Sequence, residues 1–382
     1  MILGALVADA ASMGLHWIYD QARIKDVALD APEFMQPDPK NYDGVPTYFA
    51  HRNRAAGALS QYGEQAMVML RTLAASDGQY DQAEFTDQFR NHFGYGGAYV
   101  GYIDHATRDT LDNLRRFEDA AFDRAQSLPF EGDAKTLKTL VAKALPLLAR
   151  YSGDDLKSKF QSVLAEGDSA LLPFADQLIT TLSKLPSTAG AHDLQLPAIA
   201  KLPGLVATLV AQGITEGSAF DDAVSSAVRV TNDHPVAAEY GAISAHMMAG
   251  ALTHGTSTGA IGAARKVAGA DACIRLDKAL EMREQDNQAV TKHFGMSCDL
   301  PFGVPSATHN IITATSFAGA IQQNIYSGGD SCGRAILVGA VMGAVYGIGG
   351  PQGIPQSWVD RVDRVEQKAE VDQLLHELFG MV

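Results

Sequence analysis

The junction Tyr326-Ser327-Gly328-Gly329-Asp330-Ser331-Cys332-Gly333-Arg334 runs straight into residues 335–346, which carry no charged side chain, and its reading decides the fold. Residues 335–346 are apolar nearly all round, so they predict a central helix and not a surface one. Gly339, Gly343 and Gly347 recur every four residues, which places them on one helical face where another backbone can approach closely. The uncharged stretch 335–350, before Pro351 and Gln352, is 16 residues, short of the roughly 20 that cross a bilayer, so it reads as a buried helix of a soluble protein. Two glycines before the helix leave room for irregular backbone, and Asp330 or Ser331 is the expected N-cap. Amides and the helix dipole at such a start favour an anion or a thiolate. Cys332, two residues from Arg334, therefore reads either as a thiol of lowered pKa or as an inert core residue.

Outward from this junction helical periodicity dominates. Residues 61–75 put Met67, Val68, Leu70, Leu73 and Ala74 on one stripe, and residues 224–228, 240–252 and 311–321 repeat the pattern. No set of alternating β-strands stands beside them. Residues 30–57, with Pro32, Pro37, Pro39 and Pro46, predict a long irregular loop, the kind that lies over a site entrance. Residues 126–187 are more charged and predict two or three peripheral amphipathic helices. The expectation is one all-α domain over residues 1–382, with 120–187 as a peripheral helical insertion.

Composition narrows the functions. Thirty Lys and Arg against 44 Asp and Glu give a net charge of −14, which disfavours a nucleic-acid surface. Only 19% of residues are charged while 46% are hydrophobic, so much of the chain is buried. Cys273, Cys298 and Cys332 are too scattered for a disulfide framework or a metal knot, and with no basic signal segment at the start a reducing cytoplasm is expected. The 11 histidines show no zinc-hydrolase spacing.

Further polar clusters are candidates for chemistry. Asp9 lies in a stripe of small apolar residues, and a buried carboxylate there must be paired, capping or metal-bound. Ser60 resembles the N-cap of a capping box with Gly63 or Glu64 near N3. Asn232 and Asp233 sit at a junction where Pro235 begins another helix. Residues 93–108 combine glycines with Tyr95, Tyr99 and Tyr102, a surface for a flat ring, while Asp104, His105 and Arg108 offer polar contacts.

Taken together, these clusters resemble the ADP-ribosylglycohydrolase superfamily, whose motifs are G-A-x-x-G-D-A, T-D-D-T and G-G-D-x-D-T. The counterparts are Gly4-Ala5-Leu6-Val7-Ala8-Asp9-Ala10, Ser60-Gln61-Tyr62-Gly63 and Gly328-Gly329-Asp330-Ser331-Cys332-Gly333. His16-Trp17-Ile18-Tyr19-Asp20, Tyr62-Gly63-Glu64-Gln65 and residues 101–107 look closer still to its J-type crystallin and selenoprotein J branch. The likeness covers residues 1 to about 115 and about 190 to 350, with 120–187 unmatched. It implies a single-domain orthogonal helical bundle and, in the family, two Mg²⁺ or Mn²⁺ ions that activate water against an ADP-ribosyl bond. Here Gln61 and Tyr62 replace the paired aspartates and Cys332 replaces the last motif's second one, leaving Asp330 as the surviving core carboxylate. Hard cations want several carboxylate oxygens. No cofactor is therefore expected, or at most one weakly held Mg²⁺ or Mn²⁺ at Asp330.

The resulting expectation is a diverged hydrolase of a ribosyl or related N- or O-glycosidic small molecule. Asp330, Cys332, Asp9 and Glu64 would carry catalysis, and Ser60, Gln61, Tyr62, Asn232, Asp233, Tyr99 and His105 would bind the nucleotide-like ligand. Two carboxylates of separated pKa suffice for metal-free glycoside hydrolysis. The alternatives are a non-catalytic, crystallin-like or ligand-binding member and a thiol enzyme using Cys332. Neither nucleic acid nor membrane is an expected partner.

Overall fold

The computed structural model describes residues 1–127, 133–167, 169–184, 189–362 and 366–380. Among these there is no β-strand, only isolated bridges such as Ile18 with Thr47. Eight helices frame the central region: α1 (Ile2–Ser12), α2 (Gln61–Ala75), α3 (His105–Gln126), α4 (Ser218–Thr231), α5 (Pro235–His254), α6 (Leu300–Thr313), α7 (Phe317–Tyr326) and α8 (Ser331–Tyr346).

The innermost pair is α1 and α8. Gly4 and Gly339 face each other so closely that a Cβ on either would overlap the other's carbonyl, and Gly343 lies against the Gly4 backbone. Small residues thus let two helices touch backbone to backbone, which is why both are buried along nearly their whole length. Gly347 does not belong to this face as the spacing suggested; it ends α8 with φ +67°, a left-handed conformation that glycine adopts without strain.

Local chemistry sets the helix boundaries. Ser60 caps α2, Asp104 caps α3, Asp330 caps α8 and Ser316 caps α7, each accepting an amide of the first turn. Pro235 opens α5 at its first turn. The pattern read as one helix over 311–321 is broken at residues 314–316. Thr313 Oγ1 bonds back to His309 O (2.8 Å) and Ser316 Oγ takes the Gly319 amide (3.1 Å), so hydroxyls stop one helix and start the next.

Before α8 the chain turns through Gly328 (φ +70°) and Gly329 (φ +63°). A Cβ on Gly329 would strike the Met296 carbonyl, and the turn docks on the loop after α1 through Trp17 N–H to Gly329 O (2.9 Å) and Gly329 N–H to Ile18 O (2.8 Å). Arg334 is buried beneath it, donating to Gly328 O and to Asn324 Oδ1 (3.0 Å). Burial pulls its pKa down to about 10.

Residues 30–57 form the expected irregular segment, with one short 3-10 turn at Pro39–Tyr42. The peripheral segment has an apolar cluster of its own. Helices Ala134–Arg150, Gly153–Gly167 and Ala175–Leu182 close over their own apolar cluster, centred on Phe160 and Leu178, together with Ala121 and Ala125 of α3. Residues 128–132, 168 and 185–188 of that segment lie outside the described residues. No helix of the described residues is long and apolar enough to cross a membrane.

Candidate functional site

The N-terminus of α8 brings Asp330 against the start of α2 and the end of α1. Asp330 is fully buried; its Oδ1 accepts the Gly333 amide (2.8 Å) and its Oδ2 accepts the Tyr62 hydroxyl (2.6 Å). His16 Nε2 lies 3.3 Å from Oδ1, too oblique for a well-formed hydrogen bond. Behind it, His51 Nε2 meets His16 Nδ1 at 3.3 Å. Tyr62 is also fully buried and stacks on His16 at 6.0 Å between ring centroids. Burial alone would push the Asp330 pKa up, but His16, the Tyr62 hydroxyl and the Gly333 amide hold it below the usual carboxylate value. Burial and the neighbouring Asp330 charge push Tyr62 well above an ordinary phenol, so it acts as a neutral donor.

A second corner lies alongside. Asp9 of α1 accepts Ser60 Oγ (2.5 Å) and the Ser60 amide (2.7 Å), and Gly63 gives it room, because a Cβ there would overlap Asp9 Oδ2. Burial raises its pKa to about 7 despite those two bonds. The Cys332 thiol points at Asp9 O (3.8 Å) and is fully buried. Its pKa is raised by burial and by the charges of Asp9 and Asp330, opposite to the lowered thiol that a helix start and Arg334 suggested. A serine hydroxyl and helix amides do not offset the loss of water and two nearby carboxylates.

Glu64 belongs to neither corner. It bridges Arg54 Nη2 (2.9 Å) and His92 Nε2 (2.9 Å) at the edge of the core, while the Arg54 guanidinium stacks over Tyr99 at 4.6 Å. The capping-box role suggested for it is absent: Ser60 Oγ takes the Tyr62 amide (3.1 Å), and Glu64 turns outward to its cations. Burial opposes its charge, but His92 and Arg54 lower the pKa overall.

A third polar group lies deeper along α2 and α3. Gln65 Nε2 reaches Thr107 Oγ1 (3.1 Å), near the Asp104 cap. Asn232 links Thr231 Oγ1 (2.7 Å) to Asp193 Oδ1 (2.9 Å), and Lys201, completely buried, donates to the same Thr231 hydroxyl. Burial lowers Lys201 to about 7 against the pull of Asp104, whose own pKa burial raises to about 6.

The expected site residues therefore divide. Asp330 with Tyr62, and Asp9 with Ser60 and Cys332, lie side by side in the core. Gln61 is equally buried, its amide oxygen and nitrogen without a hydrogen-bond partner among the described residues. Glu64 and Tyr99 form the Arg54 edge. Asn232 joins the Lys201 group, whereas Asp233 turns to Arg229 and His105 is exposed. Sequence reasoning missed His16 as a partner, His51 and Lys201. Lys201 had a signal: it is the one charged residue between 196 and 211, so burial was predictable. His51 had none, since it stands alone in the long loop.

The donors do not fit two hard cations. Both Asp330 oxygens and both Asp9 oxygens already accept protein donors, the Tyr62 phenol sits directly on Asp330, and Cys332 and Gln61 contribute no carboxylate. Among the described residues no three His, Cys, Asp or Glu side chains converge as a metal site.

With this geometry the helical architecture is that of a glycohydrolase, and the chain belongs to the ADP-ribosylglycohydrolase family, whose profile matches residues 1–172 and 179–382. The match runs through most of 120–187, which the motif likeness left unmatched. The chain is 26% identical to Crystallin J1A of Tripedalia cystophora over 384 residues, covering 99% of this chain and 95% of that protein. Crystallin J1B of the same organism is 24% identical over 375 residues, covering 97% and 92%. Among solved structures, an ADP-ribosylglycohydrolase-related protein complex shares the fold at a TM-score of 0.55 and 15% identity, covering 100% of this chain and 95% of that one.

Proposed function

We propose that the chain is a metal-independent, crystallin-like member of the family, in which a closed hydrogen-bonded core replaces the family's two-ion hydrolytic centre. The carrying observation is the Tyr62 hydroxyl 2.6 Å from Asp330 Oδ2, with both residues fully buried. A phenol in that place takes up the carboxylate oxygen a cation would need, and Trp17, 5% exposed, packs over His16 at 4.2 Å. Likeness to two crystallins over nearly the full chain supports the same reading. Titration calorimetry with Mg²⁺ and Mn²⁺ should show no binding, and ADP-ribosyl adducts should survive incubation with the protein. Two tightly held ions, or turnover dependent on them, would overturn it.

One observation favours a second reading, metal-free hydrolysis of a ribosyl or other glycosidic small molecule. Asp9, raised to about 7 by burial, and Asp330, held low, both act on Cys332 and have separated pKa values, the contrast that general acid and base chemistry uses. A screen of ribosylated metabolites against the native protein and Asp330→Asn tests it. Turnover lost in the variant supports hydrolysis; no turnover in either leaves the scaffold reading standing.

A further inference from the structure

Between residues 43 and 56 the chain runs over the α1 end and the start of α2 as a strap, and His51 is its only buried residue. Everything else in that strap is exposed or half-buried. His51 is thus the one side chain that anchors the strap in the core, and its ring is a titratable one.

The seat of His51 distinguishes its two protonation states. With Nε2–H donating to His16 Nδ1, the neutral ring leaves Nδ1 as a bare acceptor, and Nδ1 is buried with no hydrogen-bond partner. The imidazolium would place an N–H⁺ at that position with nothing to receive it. The charged and titratable groups around the ring add to this. His16 faces it from the turn after α1, and Arg54 faces it from the strap itself; behind them stand Asp330 of the α8 cap, Tyr62 and Glu64 of α2, each already engaged with His16 or Arg54. Burial, His16 and Arg54 all oppose a charge on His51.

The remaining strap contacts lie nearer the surface: Thr47 bridges Ile18, with Tyr19 N–H donating to Pro46 O (3.0 Å), and the Gln36 amide pins the far end through Arg54 O (2.9 Å) and Ala56 N–H (3.0 Å). Tyr48 donates its amide to Trp17 O (3.1 Å) and packs on the Trp17 ring at 5.6 Å, and Arg54 reaches Glu64. Trp17 beneath has φ +64°, a conformation unusual for a bulky side chain and one that the closed strap helps to hold.

We propose that the strap is an acid-released latch: protonation of His51 expels its ring, lifts residues 43–56, and opens Trp17 and the Tyr62–Asp330 corner to solvent. The inference stands whether or not the core has catalytic activity. The sign follows from the seat. A histidine disfavoured as a cation stabilises the closed strap above its free value of 6.5, and that contribution is lost as the pH falls below it. One proton per opening event gives up to about a tenfold rise in the open population per pH unit.

The test uses the full chain. Trp358→Phe leaves Trp17 as the single tryptophan, and acrylamide quenching of its fluorescence should increase several-fold between pH 7.5 and 5 while far-UV circular dichroism stays constant. Hydrogen exchange of residues 43–56 in the native chain, corrected for intrinsic rates, should rise in parallel and serves if the tryptophan variant folds poorly. His51→Gln should abolish the pH dependence, leaving the strap equally accessible at both pH values, and His92→Gln should retain it. Unchanged quenching and exchange across the range, or an unaltered pH profile in His51→Gln, would overturn the latch. So would loss of the profile in His92→Gln alone, which would place the sensitivity at Glu64.

Discussion

Two carboxylates act on Cys332 in the core, both fully buried, yet burial dominates one and not the other. Asp9 accepts the amide and the hydroxyl of Ser60 and is pushed up to about 7 by burial, with Glu64 adding to the rise. Asp330 accepts a helix amide and a phenol, has an imidazole 3.3 Å away, and stays below its ordinary value. The difference teaches that depth does not set charge in this core; the number and kind of donors do.

The contrast can be broken by removing each carboxylate. Asp330→Ala strands the Tyr62 hydroxyl and the Gly333 amide and removes the α8 cap, so a loss of roughly 4 kcal/mol in urea unfolding is expected, against about half that for Asp9→Ala. Equal losses would erase the distinction. Removing the donors instead gives smaller effects: Tyr62→Phe should cost about 2 kcal/mol by leaving an ionised oxygen unmatched, and Ser60→Ala about 1 kcal/mol, since the residue 60 amide remains for Asp9.

The pH dependence sharpens the comparison further. Because the native state raises Asp9 from 3.8 to about 7, its contribution to stability is full below about pH 4 and is lost as the pH rises through 7. Asp330 is lowered, so its contribution is present above about pH 4 and is lost in stronger acid. Asp9→Asn should flatten the unfolding free energy between pH 4 and 7 by up to about 1.4 kcal/mol per pH unit, while Asp330→Asn should alter only the acid limb. The smallest effect is chemical. Cys332, buried and of raised pKa, should alkylate far more slowly than the half-buried Cys273; faster labelling would revive a thiol role.

Much of the fold was legible because it rests on short-range rules. The apolar run after Asp330, the serine before α2 and the proline opening α5 each announce a boundary through local chemistry, and the structure keeps them. Where two local rules competed, at Thr313 and Ser316, side-chain hydroxyls overruled apolar periodicity. The site was legible only in part. A carboxylate among alanines announces that Asp9 must have a partner, but that partner, Ser60, is 51 positions away and is supplied by packing. The same holds for Tyr62 and Asp330, 268 positions apart. His51 carried no pattern at all, since a loop residue gains its meaning only from what it is pressed against.

The glycine crossing between α1 and α8 has a consequence for the timing of synthesis. Gly4 leaves the ribosome some 335 residues before Gly339, which at 5–20 residues per second is roughly 15–65 s. Throughout that interval one of the most apolar helices in the chain lacks the neighbour it packs against most closely. The nascent chain therefore cannot complete its centre as it emerges, and its first eleven helical residues are a natural client for whatever holds exposed apolar segments until the last third of the protein arrives.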